Sequence, residues 1–174
     1  FQIAAEKVVV TQDPKVCRDA RALVVPGVGA FAACMDQLLN VGGAEIIAER
    51  VAASRPIFGI CVGMQIFFDS SSEKIQKTGL GILSGNISEI TAPILPHMGW
   101  NTVSPAQDSK LFSGVENESF YFVHSYFVKA YTPNNVIASS IYGDEFCVAF
   151  QKDNIFGVQF HPEKNYMHNI IFKN

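Results

Sequence analysis

Long apolar runs are the first thing this chain of 174 residues lacks. None of its hydrophobic stretches approaches the ~20 residues that a membrane-spanning helix needs, and no signal peptide opens it, so no membrane role is expected. A basic run or Lys/Arg stripe is also missing, and the formal charge is −3, which argues against nucleic acid as a ligand. Cys17, Cys34, Cys61 and Cys147 show no CxxC pairing, so a reducing, cytoplasmic setting is expected. His97, His124, His161 and His168 have no ligand spacing relative to one another or to the cysteines. No metal and no cofactor is expected. No internal repeat, linker or low-complexity segment divides the chain. What it does have is apolar residues, 48% of the total, enough for one domain over residues 1–174 with a sizeable core.

The first half alternates strand and helix patterns. Residues 1–5 resemble the tail of a helix, and Val8-Val9-Val10-Thr11 reads as a buried β-branched strand. Asp13-Pro14 opens a short helix, Leu23–Val25 is a strand, and Phe31–Leu39 and Ala44–Ala53 carry helical periodicity around Gly42-Gly43. Ile57–Ile60 is a further buried strand. This order predicts a largely parallel sheet covered by helices. After a polar loop at residues 69–85, strand candidates follow at Ile87–Ile90, Phe120–Val128, Val136–Ser140, Cys147–Gln151 and Ile155–Phe160. The predicted architecture is α/β with a mixed sheet.

Three stretches carry chemistry. In Gly59-Ile60-Cys61-Val62-Gly63 a strand ends and two glycines bracket a cysteine, the pattern of a nucleophile elbow with sulfur in place of oxygen. A sharp strand-to-helix turn lifts the side chain clear of the sheet and sets it at a helix N-terminus, which favours thiolate. Most free cysteines are simply buried small hydrophobes, so the elbow alone does not decide. In Phe160-His161-Pro162-Glu163, Pro162 holds His161 extended, and residues two apart then point the same way. Glu163 is placed to orient a His161 base.

The third stretch, Pro26-Gly27-Val28-Gly29-Ala30-Phe31, lies between a strand and a helix. With Ala32 it formally satisfies GxGxxG/A, but the acid at the dinucleotide offset, Glu49, falls inside a helical pattern. The loop is better read as aiming the N–H groups of Val28 and Gly29 at an oxyanion, with Val62 N–H as a further donor. Each stretch alone has a bland explanation; the three together do not.

Together with Gly79–Leu83, Pro96-His97-Met98-Gly99-Trp100-Asn101 and Tyr121-Phe122-Val123-His124-Ser125-Tyr126, these stretches resemble the class I (triad) glutamine amidotransferases. Within that family they are most similar to the glutaminase subunits of imidazole glycerol phosphate synthase, of histidine biosynthesis. The resemblance implies a flavodoxin-like three-layer fold, glutamine hydrolysis through a Cys61 thioester, and a triad of Cys61, His161 and Glu163. It implies a glutamine pocket formed by Gly29, Gln65, Glu73, Ser125 and Tyr126. It also implies ammonia transfer to a (β/α)8-barrel cyclase subunit that meets Trp100, Asn101 and Lys164. Family members begin with an interior strand and a turn before the helix in which this sequence starts, so that strand is expected to be missing; the joins near Ala5 and Asn165 look shorter than the family pattern. Two alternatives stand beside this one: the glutaminase of another amidotransferase such as anthranilate synthase, and a catalytically silent amidotransferase-like module that only binds a partner.

Overall fold

The structure is a computed structural model that describes residues 8–129, 131–164 and 170–172. The expectations about residues 1–5, an absent first strand and the joins near Ala5 and Asn165 lie outside the described residues.

The chain opens with helix α1 (Pro14–Asp19), capped as Asp13 accepts hydrogen bonds from the amides of Lys15 and Val16. Strand β1 (Leu23–Gly27), helices α2 (Phe31–Asn40) and α3 (Gly43–Ala52), strand β2 (Ile57–Cys61) and the single turn α4 (Val62–Gln65) follow. The second half holds two-residue strands β3 (Ser70–Ser71) and β4 (Lys77–Thr78), then β5 (Asn86–Glu89), β6 (His97–Thr102) and β7 (Ser104–Pro105). It closes with β8 (Ser119–His124), β9 (Tyr126–Lys129), β10 (Val136–Tyr142), β11 (Asp144–Lys152) and β12 (Ile155–Val158). The largest sheet runs β1-β2-β12-β11-β10-β7. It is parallel where β1, β2 and β12 meet and antiparallel beyond. Among the described residues no helix is long and apolar enough to cross a membrane.

Parallel pairing decides where the chemistry can sit. The register sets Gly27 opposite Cys61 and Val158 opposite Ile60, so three strands end at one edge. The glycine loop, the elbow and the His-Pro-Glu stretch all leave from those carboxyl ends, the usual place for a site in such sheets. Phe67, Phe68, Phe120, Phe122, Phe150 and Phe160 pack beneath them in one buried cluster.

Two expectations are corrected. Val8–Thr11 forms no strand: among the described residues no ladder takes up its backbone groups, and Val10 is fully exposed. A β-branched run without a neighbouring strand gains nothing from its propensity. Phe120–Val128 is two strands, because β8 pairs with β6 whereas β9 pairs with β5 in another sheet. Ser125 makes the switch, its carbonyl accepting from the Ile90 amide. The Pro96–Asn101 stretch, for which the sequence pattern offers no assignment, is mostly strand: β6 pairs with β8 along its full length.

One stabilising device has no signature in the pattern. Arg50 is buried on α3 and donates to the carbonyls of Cys17, Arg18 and Ala20 at 3.1, 3.2 and 2.8 Å. A second guanidinium nitrogen reaches Arg21 and Pro56. The bonds to Cys17, Arg18 and Ala20 satisfy orphan carbonyls at the end of α1, a helix that has no buried residue of its own.

Candidate active site

Strand β2 delivers Cys61 into a backbone conformation of φ 55, ψ −119, which costs a non-glycine residue energy and persists only where the surroundings enforce it. Close packing supplies the enforcement. A Cβ on Gly63 would lie 1.9 Å from the Val25 carbonyl oxygen of β1. One on Gly59 would meet Gly63 and Met64 at 2.7 Å. The two glycines are therefore needed for approach: without side chains there, α4 beds onto β1 and β2 and forces the turn at Cys61. The helix that follows is one turn long, so its dipole adds less at the sulfur than a full helix would.

The sulfur's partner comes from beyond β12. His161 is buried, its backbone N–H bonded to the Tyr121 carbonyl, and its Nδ1 sits 2.8 Å from Glu163 Oε1. That contact fixes Nδ1 as the protonated nitrogen. Nε2 is buried and has no hydrogen-bond partner among the described residues. The nearby Cys61 sulfur, then the hydrogen bond with Glu163, raises His161 from its ordinary 6.5 to about 9 against the opposing effect of burial. For Glu163 burial acts upward, but the hydrogen bond from His161, a backbone N–H and the charges of His161 and Lys164 hold the carboxyl below its usual range.

Cys61 and His161 open into one cavity of about 350 Å³. Val28, Gly29 and Val62 line it from the loop and the elbow, and Gln65, Glu73, Ser125 and Tyr126 line the rest. The sequence-predicted nucleophile, base, oxyanion loop and pocket residues are thus brought together around a volume fit for a small molecule. Pro96, Val123 and His124 also border it, which nothing in their sequence pattern announces. Glu73 reaches the cavity from the polar loop because its carboxylate accepts the Phe31 amide at 2.8 Å, capping α2 whose own N-cap, Ala30, has no side chain to do so. Sequence distance hides that bond.

The remaining cysteines are poor nucleophile candidates. Burial pushes the Cys147 thiol well up, and it raises Cys34 with a further contribution from Cys61. Cys17 lies half-buried on α1.

Trp100, Asn101 and Lys164 lie outside the cavity lining, and strand alternation separates the first two. Trp100 and Met98 project outward from β6, with Trp100 edge-on to Tyr121 at 5.5 Å. Lys164 lies over the same Tyr121 ring at 5.8 Å, so Trp100 and Lys164 flank one aromatic. Asn101 turns the other way: its Nδ2 reaches His97 Nε2 at 3.2 Å and the Ile141 carbonyl at 2.9 Å.

Comparison with known proteins agrees with this geometry. Residues 3–170 match the family model described as glutamine amidotransferase class-I. The chain is 45% identical over 172 residues to the imidazole glycerol phosphate synthase subunit HisH of Corynebacterium glutamicum, covering 93% of this chain and 82% of that protein. The HisH of Cutibacterium acnes is 46% identical over 166 residues, with 94% and 80% covered. Among solved structures, a glutamine amidotransferase superposes with a TM-score of 0.75 at 17% identity, covering 97% of this chain and 84% of that one. A Thermoplasma acidophilum protein named for GMP synthase gives 0.66 at 23%, with 92% and 75% covered. At those identities the two structures speak to fold alone.

Proposed function

Because the chain belongs to the class I glutamine amidotransferases, and within them to the HisH subunits of imidazole glycerol phosphate synthase, we propose that it hydrolyses glutamine to glutamate and ammonia. Residues 1–174 act as one amidotransferase domain, working in the cytoplasm, where its unpaired cysteines stay reduced. The ammonia passes to a (β/α)8-barrel cyclase subunit in histidine biosynthesis.

The observation that carries this reading is the His161–Glu163 contact behind an Nε2 that shares its cavity with Cys61. His161 takes the thiol proton, its affinity for protons being raised to about 9. The sulfur attacks the side-chain amide carbon, and the oxygen gains charge beside the Val28, Gly29 and Val62 amides. The carbon–nitrogen bond breaks as His161 returns the proton to the leaving nitrogen, releasing ammonia and leaving a thioester. Water then adds to the thioester, His161 accepting its proton, and the sulfur departs as glutamate forms. Glu163 stays charged, holding the ring's tautomer.

Gly29, Gln65, Glu73, Ser125 and Tyr126 form the glutamine pocket. Glu73 keeps one carboxylate oxygen on Phe31 N–H, which leaves the other for an ammonium group. The cyclase docks on the ribbon that exposes Met98, Trp100 and Val123 beside the cavity, together with Lys164. Closing that mouth keeps ammonia out of bulk water.

A silent partner-binding module has no use for a strained Cys61 beside an oriented imidazole. An anthranilate-type glutaminase is disfavoured by the 45% identity with HisH. The deciding experiment is release of glutamate from glutamine by the purified complex, with loss in Cys61→Ala.

A further inference from the structure

Gln159 is 1% exposed and sits two residues before His161, its backbone N–H bonded to the Val148 carbonyl of β11 at 2.8 Å. Its side-chain Nε2 lies 3.7 Å from the Cys61 sulfur, and its Oε1 lies 2.8 Å from Gln65 Nε2. Gln65 Nε2 also lies 3.1 Å from the Tyr126 carbonyl oxygen. That carbonyl can only accept, so it requires the nitrogen of Gln65 to face it. With both its N–H groups then directed at Tyr126 and Gln159, Gln65 requires the oxygen of Gln159 to face it in turn. The Gln159 N–H group is thereby aimed at the sulfur, with no freedom to flip.

The same carbonyl fixes a second arm. His124 Nδ1 donates to Tyr126 oxygen at 2.9 Å, so His124 Nε2 is the acceptor for His97 Nδ1 at 3.0 Å. His97 Nε2 then accepts from Asn101, whose Nδ2 also donates to the Ile141 carbonyl. Every donor in the series has one direction. Both arms are tied to a carbonyl that the backbone holds in place, which is why the amide at the sulfur is preorganised.

We propose that Gln159 is a further catalytic residue of this site, a fixed hydrogen-bond donor to the Cys61 sulfur oriented by Gln65 and the Tyr126 carbonyl. This rests on the reading of Cys61 as the nucleophile. The donor keeps its proton throughout. It stabilises charge on the sulfur before attack and again when the thiolate leaves the thioester. A stabilised thiolate is a somewhat weaker nucleophile, but reactivity falls with only about 0.4–0.5 of the stabilisation. Gln65 acquires a second role: its Nε2 is committed inward, and only its Oε1 remains for substrate.

The other ionisable groups around the sulfur are His161 with Glu163 behind it, Cys34 from α2, and Glu73, His124 and Tyr126 across the cavity. None is altered by Gln159→Met, which keeps the length and removes the donor. The test is the rate of Cys61 alkylation by iodoacetamide against pH, in the complex with the cyclase, followed by mass spectrometry of the modified residue. A hydrogen bond to a charged group corresponds to roughly a 10- to 100-fold change in equilibrium, so the midpoint should move up by about 1–2 pH units. Above both midpoints the variant should react at least as fast as the parent, a recovery that mere structural damage cannot produce. An unmoved midpoint in a folded Gln159→Met protein overturns the proposal. If that variant does not fold, Gln65→Met releases the Gln159 amide to rotate and should shift the midpoint in the same direction by less; no shift there overturns it equally. Failure of Cys61 to label in the unmodified protein counts instead against the nucleophile itself.

Discussion

His97 and His124 face each other as a neutral pair, Nδ1 to Nε2 at 3.0 Å, with His124 bordering the cavity. Burial lowers His97 to about 4. Burial also lowers His124 to about 4, with His97 and His161 adding to it and the Tyr126 carbonyl opposing. The rings are further packed by stacking of His97 on Phe122 and Tyr142.

Acid stability follows from that pair. Unfolded, both imidazoles bind protons near 6.5; folded, they do so only near 4. Between those values the unfolded chain holds more protons, so stability is present above pH 6.5 and is lost as pH falls through 4. Thermal unfolding followed from pH 7 to pH 4 should show Tm falling across that window. His97→Asn should make the fall shallower, since one titrating ring is gone.

His161 carries the opposite sign. Its folded value of about 9 exceeds 6.5, so its contribution is complete below pH 6.5 and disappears as pH rises through 9. The nearby Cys61 sulfur is the first cause, so Cys61→Ala should bring the His161 titration down, as measured by NMR of the imidazole. In turnover, His161→Ala should cost about 10²–10⁴-fold. Glu163→Gln should cost less, because the ring remains.

The elbow can be tested sterically. An alanine at position 63 would drive its methyl into the Val25 carbonyl, which the β1–β2 ladder holds in place. Gly63→Ala should destabilise by at least the ~1–3 kcal/mol of ordinary overpacking. Denaturant melts and loss of Cys61 labelling report it together.

Much of this site is legible in the sequence because it is built from local patterns. Gly-x-Cys-x-Gly and His-Pro-Glu each place a side chain through their own backbone geometry, and parallel pairing then joins them. What stays hidden depends on long-range partners. Gln159 reads as an alternating residue of a buried strand, and its polarity there is the one available signal. The Glu73 bond to Phe31 spans 42 residues, and Arg50 shows its five carbonyl partners only in the folded chain. The Val8–Thr11 strand fails for a complementary reason: strand propensity is realised only beside a neighbour.

The proposed cyclase face is tested through the aromatic on it. Trp100 stands exposed against Tyr121, with Lys164 over the same ring. An interface anchor of this kind typically costs ~2 kcal/mol or more when truncated, roughly 30-fold in affinity. Trp100→Ala should weaken association with the cyclase by about that factor in titration calorimetry, while Cys61 labelling in the uncomplexed chain is unchanged. Unaltered affinity places the docking surface elsewhere.

The central claim is that Cys61 releases ammonia from glutamine for use by a partner. The most direct measurement follows glutamate release and cyclase product in the purified complex, for the parent protein and for Cys61→Ala, with glutamine or with ammonium salt as nitrogen source. The account predicts that Cys61→Ala releases no glutamate from glutamine yet supports full cyclase turnover on supplied ammonia. Glutamate release that survives Cys61→Ala, or cyclase turnover that supplied ammonia fails to restore, would contradict it.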